Sequence, residues 1–257
     1  MLKIILAGCN GYMGRVVSSI ASGDSKAEIV AGIDINTENS GSYPVFASPG
    51  EITPGETAKP ADVIIDFSSP SAIDGLLEYA LAKKVPLILC ATGYSEQQLN
   101  KIENASKQIP VFRSGNMSLG INLLADLIKR ACFVLGEDFD VEIVERHHRR
   151  KVDAPSGTAL MLADAASSAL PYKTEYIYER ESKREPRRKQ EIGLSAVRGG
   201  TIVGVHDVIF AGQDEVVELR HTATSRDVFA TGALRAAKFI VGKPSGMYTM
   251  EDVLRQK

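Results

Sequence analysis

The stretch that decides the fold lies near the start of the chain and reads Ile4-Ile5-Leu6-Ala7-Gly8-Cys9-Asn10-Gly11-Tyr12-Met13-Gly14. Its apolar first part predicts a buried parallel strand at residues 4–7, and the residues from Tyr12 to Ser22 predict the helix that follows. Between them lies a G-x-x-G-x-x-G loop, whose glycines allow backbone N–H groups to approach a pyrophosphate at a helix N-terminus. A glycine pattern alone is weak evidence, and a plain turn before a helix N-cap is the alternative interpretation.

An acidic residue supports the interpretation of this loop as a dinucleotide site. A second strand is predicted from Glu28 to Asp34, and Asp34 lies twenty residues after Gly14, near the offset at which an acid reaches the ribose hydroxyls. Asp34 favours a free 2′-hydroxyl, because it would repel a 2′-phosphate as a like charge. Ile35 and Asn36 follow it, so no arginine stands there for that phosphate. We therefore expect NADH to be used at least as well as NADPH, whose use stays possible.

The rest of the first half repeats the alternation of strand and helix. The predicted strands are at 61–67, 85–90 and 109–113. One predicted helix begins at 68–70, and a second spans 95–107. Residues 36–60, rich in Gly, Pro, Ser and Thr, predict a long irregular connection. Such alternation implies a parallel sheet, with ligands at the carboxyl ends of its strands. Ala91-Thr92-Gly93 and Ser114-Gly115-Asn116-Met117 follow two of those ends, although an ordinary strand-to-helix turn is the alternative for each.

The pattern changes after residue 118. The predicted elements are helices at 119–135, 156–170 and 226–241, one strand at 139–146, and three more strands at 192–197, 201–210 and 215–222. Glycine-containing turns separate the last three strands, which predicts an antiparallel run. The segment 179–191 mixes both signs of charge and is expected to be a solvated, mobile loop.

The fold class is therefore predicted as α/β in two domains. The first is a Rossmann-type domain with a parallel sheet, formed by residues 1–118 together with 226–257. The second, residues 119–225, is an α+β domain that contains a mixed or antiparallel sheet.

Composition and charge exclude several classes of protein. The chain has 257 residues, of which 44% are hydrophobic, and its formal net charge of −2 gives no global reason to expect nucleic-acid or membrane-surface binding. No apolar run approaches the roughly 20 residues of a membrane span, and the apolar start is too short for a signal sequence. Cys9, Cys90 and Cys132 form no CxxC pair and no metal-ligand spacing. We therefore expect reduced thiols, no metal site and a cytoplasmic location.

A second informative stretch runs from Glu142 to Ala159. It contains two of the chain's four histidines, His147 and His148, followed by Lys151, and it closes on the small residues Pro155-Ser156-Gly157-Thr158. A general acid, extra positive charge and a helix N-terminus together suit a small substrate that carries carboxylates. A solvated basic loop before a capped helix is the alternative interpretation.

The glycine loop and the stretch Glu145-Arg-His-His-Arg-Arg-Lys-Val-Asp-Ala-Pro-Ser-Gly-Thr-Ala159 together resemble the dihydrodipicolinate reductase family. The resemblance runs essentially end to end, since the stretches 198–206 and 221–226 also fit. It implies a nucleotide-binding domain, a domain for substrate binding and oligomerisation, and a homotetramer. The implied reaction is the NAD(P)H-dependent reduction of 4-hydroxy-tetrahydrodipicolinate to tetrahydrodipicolinate with loss of water, in diaminopimelate and lysine synthesis.

The resemblance also implies roles for individual residues. His147 would be the proton donor and acceptor and Lys151 a proton donor, whereas His148, Gly157 and Thr158 would bind the carboxylates of the substrate. The implied cofactor contacts are Gly8, Cys9, Asn10, Gly11, Tyr12, Met13, Asp34, Cys90, Ala91, Thr92, Ser114, Gly115, Asn116 and Met117. Two departures stand out. Many relatives read Gly-Thr-Thr at 90–92, so one hydroxyl contact is missing here, and some carry Arg at the position of Ile35, which weakens the case for dual use of NADPH.

Two other functions remain as alternatives. A two-domain dehydrogenase that acts on an amino-acid aldehyde would need a catalytic cysteine or a lysine-aspartate pair, and Cys132 lies in an apolar helix that reads as core. A non-catalytic redox sensor that binds NADH would need no proton donor, so His147 and Lys151 argue against it. Measuring NADH oxidation with and without substrate would separate the three.

Overall fold

The computed structural model describes residues 1–38, 42–52 and 60–256. In chain order, the strands are β1 (Leu2–Ala7), β2 (Ala27–Ile33), β3 (Val45–Phe46), β4 (Val63–Asp66), β5 (Leu87–Leu89), β6 (Pro110–Arg113), β7 (Asp140–His147), β8 (Glu175–Ile177), β9 (Glu191–Arg198), β10 (Gly204–Ala211), β11 (Val216–Ala223) and β12 (Gly246–Tyr248). The α-helices are α1 (Tyr12–Ser22), α2 (Ile73–Lys83), α3 (Glu96–Ser106), α4 (Leu119–Leu135), α5 (Gly157–Ala169), α6 (Asp227–Ile240) and α7 (Met250–Arg255).

These elements form two compact units. The first comprises Met1–Ser118 and Asp227–Lys257, and the second comprises Leu119–Arg226. Arg226, which the sequence assigned to the first domain, falls in the second unit, where its guanidinium contacts His148. Of the irregular connection expected at 36–60, residues 39–41 and 53–59 lie outside the described residues.

The first unit is built on a seven-stranded sheet in the order β12-β6-β5-β4-β1-β2-β3, and every pair in it is parallel. Its central strands are almost wholly apolar, because helices cover both faces of a parallel sheet of this kind. Ile4, Leu6, Ile64 and Leu87 are accordingly inaccessible to solvent. The predicted Rossmann-type sheet is confirmed, and it places the carboxyl ends of β1, β4, β5 and β6 along one edge.

The short strand β12 and helix α7 were not predicted. Gly246 to Tyr248 adds a parallel strand beside β6, at the edge of the sheet. Three residues are too few to show a period of two, so no hydrophobic pattern marks this strand in the sequence.

The second unit is built on a mixed sheet in the order β11-β10-β7-β9-β8. β10 is antiparallel to both β7 and β11, whereas β9 is parallel to β7 and to β8. The mixed sheet agrees with the predicted fold class, but the antiparallel run predicted for 192–222 was wrong in one respect. β9 and β10 are not neighbours, because β7 lies between them. The Gly199-Gly200 turn resembled a hairpin, and local turn residues cannot show that a distant strand is inserted there.

Helices α4 and α5 pack on one face of this sheet. The shared core contains Ile128, Val141, Leu162, Val208 and Phe210, together with further residues of β9 and β11. Cys132 is 2% exposed and belongs to the same core, as expected. No helix in the described part of the chain is long and apolar enough to cross a membrane.

Most residues of the charged segment 179–191 are exposed, as expected of a solvated loop, but ion pairs hold several of its side chains. Arg187 is only 16% exposed, and its guanidinium donates to the carboxylates of Asp140 and Glu142 and to the carbonyl of Val141. Glu191 is buried and accepts from Arg180 and Arg188. Ion pairs of Arg180, Arg187 and Arg188 with Glu142, Asp140, Glu175 and Glu191 therefore tie this segment to the sheet.

Candidate active site

The glycine loop of the first unit has the geometry that the sequence predicts. Gly8 has φ +74°, in the region that favours glycine, and its N–H donates to the carbonyl of Ile33 at 2.8 Å. A Cβ at Gly8 would lie 2.7 Å from the backbone of Phe67. Position 8 therefore requires glycine for both its conformation and its close approach to β4.

The N-terminus of α1 is suited to an anion. Gly11 is its N-cap residue, no side chain caps it, and its first turn contains no acidic residue. The first turn therefore adds no carboxylate of its own to the positive end of the helix dipole. A pyrophosphate is the ligand that such a terminus commonly binds.

Asp34 holds the loop in place. One carboxylate oxygen accepts from the backbone N–H of Asn10 at 3.0 Å, and the other accepts from the N–H of Asn36 at 3.1 Å. Each oxygen keeps a further lone pair, which can accept from a ribose hydroxyl. Beside Asp34 lies a cavity of about 540 Å³, lined by the glycine loop and by Ile35, Ala47 to Pro49 and Phe67 to Ala72. The residues present therefore fit a dinucleotide.

A second cavity of about 260 Å³ lies at the same edge of the sheet. It is lined by Met13, Phe67, Cys90, Phe229 and the turn at 114–117. The structure thus brings Cys90 and the 114–117 turn to the glycine loop, whereas Ala91 and Thr92 are not among the lining residues. Phe67 and Phe229 were missed in the sequence, because an isolated phenylalanine carries no signal that separates a site wall from the core.

Cys9 contributes to the core as well as to the loop. It is 1% exposed, and it lies beside Gly32, where a Cβ would collide with its sulfur. Burial and the nearby Asp34 raise the pKa of the Cys9 thiol to about 11. Its side chain is therefore a neutral packing group, and a contact to a cofactor from this residue would be made by the backbone.

Asp66, at the end of β4, is a buried acid that the sequence analysis passed over. Its carboxylate accepts from the backbone N–H of Ser68 at 2.8 Å and from the hydroxyl of Tyr94 at 3.3 Å. Burial raises the pKa of Asp66. Its bonds join the loop after β4 to the loop after β5, and both loops lie at the cofactor edge.

The main cluster of titratable groups in the second unit is centred on Glu145. This residue is 1% exposed, and its carboxylate contacts Nδ1 of His147 at 2.6 Å. It also accepts from both terminal nitrogens of Arg198 at 2.7 Å and from the backbone N–H of Ser156 at 3.0 Å. Burial raises the pKa of Glu145, but the hydrogen bonds from Arg198, His147 and Ser156 outweigh it and hold the pKa below its ordinary value. Glu145 is therefore ionised at neutral pH.

A second buried histidine lies beside His147. The rings of His147 and His206 meet edge to face with centroids 5.2 Å apart, and Nε2 of His206 lies 3.2 Å from the hydroxyl of Ser156. Burial, followed by the nearby His147, lowers the pKa of His206 to about 4, so its imidazole is neutral at physiological pH. In the sequence, Glu145, Arg198 and His206 lie in stretches that fit the family, but they were assigned no role. Only the pairing of β7, β9 and β10 brings them together.

His148 and Lys151 lie beyond the end of β7, in a more open position. Nε2 of His148 is 3.3 Å from a terminal nitrogen of Arg226, and partial burial with the neighbouring Arg226 and Arg150 lowers the pKa of His148. The ammonium of Lys151 pairs with Asp153 at 2.9 Å. This is a lysine-aspartate pair, but the Asp153 side chain is 58% exposed, unlike the buried Glu145–His147 pair.

The N-terminus of α5 completes the cluster. Ser156 is its N-cap residue, and its hydroxyl accepts from the N–H of Ala159 at 3.2 Å. Gly157 and Thr158 form the first turn, which contains no acidic residue. A Cβ at Gly157 would meet no protein atom within 4 Å, so the space in front of this turn is open. The turn that follows the histidines therefore has the geometry of an anion site, the role predicted for its small residues.

Comparisons with known proteins agree with this geometry. Residues 2–117 match the family model for the N-terminus of dihydrodipicolinate reductase, and residues 120–254 match the model for its C-terminus. The 4-hydroxy-tetrahydrodipicolinate reductase of Caldanaerobacter subterraneus subsp. tengcongensis is 52% identical and covers 100% of this chain and 99% of its own. The enzyme of the same name from Clostridium tetani is 50% identical over 99% of this chain and 97% of its own.

Solved structures show the same fold. A dipicolinate-bound dihydrodipicolinate reductase from Paenisporosarcina sp. TG-14 superposes with a TM-score of 0.80 at 24% identity, over 98% of this chain and 99% of that one. A myo-inositol dehydrogenase from Corynebacterium glutamicum gives a TM-score of 0.61 at 15% identity, over 96% and 90% of the two chains. The second likeness is one of fold alone. Both family models and the full-length relatives lead to one conclusion: the chain belongs to the dihydrodipicolinate reductase family, whose members are pyridine-nucleotide-dependent oxidoreductases.

Proposed function

We propose that this chain reduces 4-hydroxy-tetrahydrodipicolinate to tetrahydrodipicolinate, with loss of water, at the expense of NADH or NADPH. The reaction belongs to diaminopimelate and lysine synthesis. The relatives that carry this activity in their names are about half identical over the whole chain. The observation that carries the proposal is the buried pair of Glu145 and His147 beside the open N-terminus of α5. It combines a proton donor with an anion site, which is the chemistry that reduction of a dicarboxylate requires.

The first unit is the dinucleotide-binding domain in this proposal, and the second binds substrate. Gly8 through Met13, Asp34, Cys90 and the 114–117 turn hold the cofactor, with Ala91 and Thr92 following on the same loop. The bound nicotinamide supplies the hydride. This division of labour is supported by the cavities that these residues line and by the uncapped start of α1.

Substrate carboxylates are bound by the first turn of α5 and by the cations before it. A Cβ at Gly157 would meet no protein atom within 4 Å, and Lys151 and His148 add positive charge or donors nearby. The Paenisporosarcina structure is described as binding dipicolinate, a planar dicarboxylate, which supports a ligand of this class.

His147 completes the reaction by protonating the reduced ring. Its Nδ1 is engaged by Glu145, so Nε2 is the atom that delivers the proton. Lys151 is a second donor, and its pairing with the exposed Asp153 leaves a flexible stem that can turn toward an anion.

We propose that NADH is used at least as well as NADPH. Asp34 has Ile35 beside it, 99% exposed and without charge, where a 2′-phosphate would need a cation. Arg15 is a cation close to the loop, since it donates to the carbonyl of Asn10 at 2.5 Å. Its exposed side chain can reach out to a phosphate, which keeps NADPH within the range of cofactors.

We also propose a cytoplasmic homotetramer that associates through the sheet of the second unit. The apolar surface that supports this is limited, because Val208, Phe210, Val217 and Leu219 belong to the core under α4 and α5. The opposite face still presents Val197 and Val216, which are 44% and 59% exposed. An uncovered sheet face with such residues is commonly completed by a second copy.

The test is an assay of NADH consumption with enzymatically generated 4-hydroxy-tetrahydrodipicolinate. The proposal expects rapid oxidation with substrate, none without it, and a fall of about 100-fold or more in His147→Gln. Oxidation with an amino-acid aldehyde instead would favour the alternative dehydrogenase. NADH binding without turnover on either substrate would favour a sensor.

A further inference from the structure

We infer that Glu145 is a positioning residue, which holds His147 with its proton on Nδ1 and so reserves Nε2 for the substrate. The inference rests on the proposed role of His147 as proton donor and extends it to a residue for which the sequence offered no role. It is carried by the contacts of one buried carboxylate.

The backbone of β7 places the side chains of Glu145 and His147 next to each other. Glu145 and His147 are two residues apart on β7, so their side chains lie on the same face of the sheet. The carboxylate contacts Nδ1 at 2.6 Å. An ionised carboxylate can only accept, so the hydrogen of this bond lies on Nδ1 in both protonation states of the ring. When His147 gives up the proton on Nε2, the remaining tautomer is the one that Glu145 stabilises.

Arg198 and Ser156 hold the carboxylate itself. One oxygen of Glu145 accepts from His147 and from one terminal nitrogen of Arg198, and the other accepts from the second nitrogen and from the Ser156 N–H. The two-pronged bond from Arg198 fixes the plane of the carboxylate as well as its charge. All four lone-pair directions of the carboxylate are thereby used, and none is left for water.

The same carboxylate links the acid to the anion site. Ser156 is the N-cap residue of α5, and its N–H is bonded to Glu145. The start of α5 and the ring of His147 are therefore both held by the same carboxylate on β7. A proton donor and a carboxylate site must keep a fixed separation for the transfer to be efficient, because catalysis depends on orientation at the reacting atoms.

A purely structural role for Glu145 is the competing explanation, and the chain offers a matched control. Glu191 is 2% exposed and lies on the same sheet, and it is bonded to two arginines, Arg180 and Arg188. It has no histidine partner among the described residues. It is placed five positions before Ala196, the residue that pairs with Glu145, which is roughly 17 Å along the strand. Loss of either carboxylate leaves arginines without their partner, but only the loss of Glu145 affects His147.

The first experiment compares Glu145→Gln with Glu191→Gln. Glutamine keeps an oxygen for Arg198 but presents an amide N–H₂ to Nδ1, which forces the proton of neutral His147 to Nε2. We expect turnover to fall about 100-fold or more in Glu145→Gln, by analogy with the loss caused by a wrong tautomer in a histidine-carboxylate pair. NADH affinity and the denaturation midpoint should match those of Glu191→Gln, which should keep normal turnover. Equal turnover in the two variants, both folded, refutes the inference.

The second experiment reads the tautomer directly and needs no substrate. Side-chain ¹⁵N shifts of labelled histidine, assigned with His147→Gln, should show Nδ1 protonated in the neutral ring of the wild type and Nε2 protonated in the neutral ring of Glu145→Gln. The same tautomer in both proteins would overturn the inference. If Glu145→Gln does not fold, Arg198→Lys replaces it, because a single-pronged cation loosens the carboxylate, and the turnover should then fall with little change in KM.

These readouts separate the inference from the function on which it rests. A wild type that fails to oxidise NADH with the substrate refutes the proposed function, while the tautomer measurement still decides whether Glu145 controls His147. Normal turnover in His147→Gln refutes the assignment of the donor and, with it, the catalytic value of Glu145. Partial recovery in Glu145→Asp, which restores the charge one methylene short, is the result expected of a positioning carboxylate.

Discussion

Gly204→Ala gives the sharpest test of how closely the site is packed. Gly204 opens β10 and faces His147, and a Cβ there would lie 3.2 Å from Nε2 and 3.6 Å from Cδ2 of the ring. Carbon contacts are most favourable at about 3.5–4.0 Å, so the ring must move by a few tenths of an ångström. It cannot retreat freely, because Nδ1 is held at 2.6 Å by Glu145.

The expected loss follows from this displacement. A misplacement of about 1 Å at a reacting group costs about 100-fold in rate, so a shift of about 0.3 Å should cost about fourfold in kcat. The free energy of unfolding should change by less than about 1 kcal/mol, since replacing glycine in a strand gains roughly 0.5–1 kcal/mol and the contact offsets that gain. NADH affinity should be unchanged, because the cofactor residues belong to the other unit.

The assay measures kcat and KM from NADH consumption, with urea unfolding as the check on stability. Gly199→Ala is the matched control, because Gly199 lies one residue beyond β9 and a Cβ there meets no protein atom within 4 Å. Wild-type turnover in Gly204→Ala, or an equal loss in Gly199→Ala, would show that the space beside Nε2 is not what limits the position of His147.

Four further outcomes are expected. His147→Gln and Lys151→Ala should each lower kcat by about 100-fold or more, whereas His148→Ala should mainly raise KM; normal kcat in both of the first two would contradict the assignment of proton donors. The ratio of kcat/KM for NADPH over NADH should not exceed one, and a tenfold preference for NADPH would show that a cation compensates for Asp34. The pKa of His206 is about 4 in the folded protein and 6.5 in the unfolded chain, so its contribution to stability is complete above pH 6.5 and is lost as pH falls toward 4. The free energy of unfolding, measured in urea across that range, should depend less steeply on pH in His206→Gln than in the wild type. Light scattering at micromolar concentration should report about four times the mass of the chain, and the mass of a monomer would contradict the proposed tetramer.

Features that depend on residues close together in the chain could be predicted from the sequence. Gly8 at φ +74° and Asp34 after the second strand could be placed from the sequence, because the motif and the offset between them define one kind of turn. The long helices α4 and α5 were equally accessible, since their apolar residues repeat with the helical period. The family resemblance then linked His147, His148 and Lys151 to substrate chemistry, but it provided no contact among them.

The order of the mixed sheet was not accessible in this way. Hydrophobic alternation in β7, β9 and β10 indicates which face of each strand is buried, but it does not indicate the order of the strands in the sheet. Gly199-Gly200 therefore suggested a hairpin between β9 and β10, whereas the sheet places β7 there. Charge alternation in 179–191 could not show which charges are paired, because the partners of Arg187 lie more than forty residues away on β7.

The sequence alone therefore predicted the kind of chemistry, namely a dinucleotide loop, a histidine donor and an anion-binding helix start. Which side chains surround His147 depends on the tertiary structure. Glu145, Arg198 and His206 come from three strands and become neighbours only when β7 pairs with β9 on one side and with β10 on the other. The physical reason is that tautomer, ionisation and orientation depend on distances of about 3 Å between groups such as Glu145 and Arg198, which are 53 positions apart in the chain. Periodicity reports only neighbours along the chain.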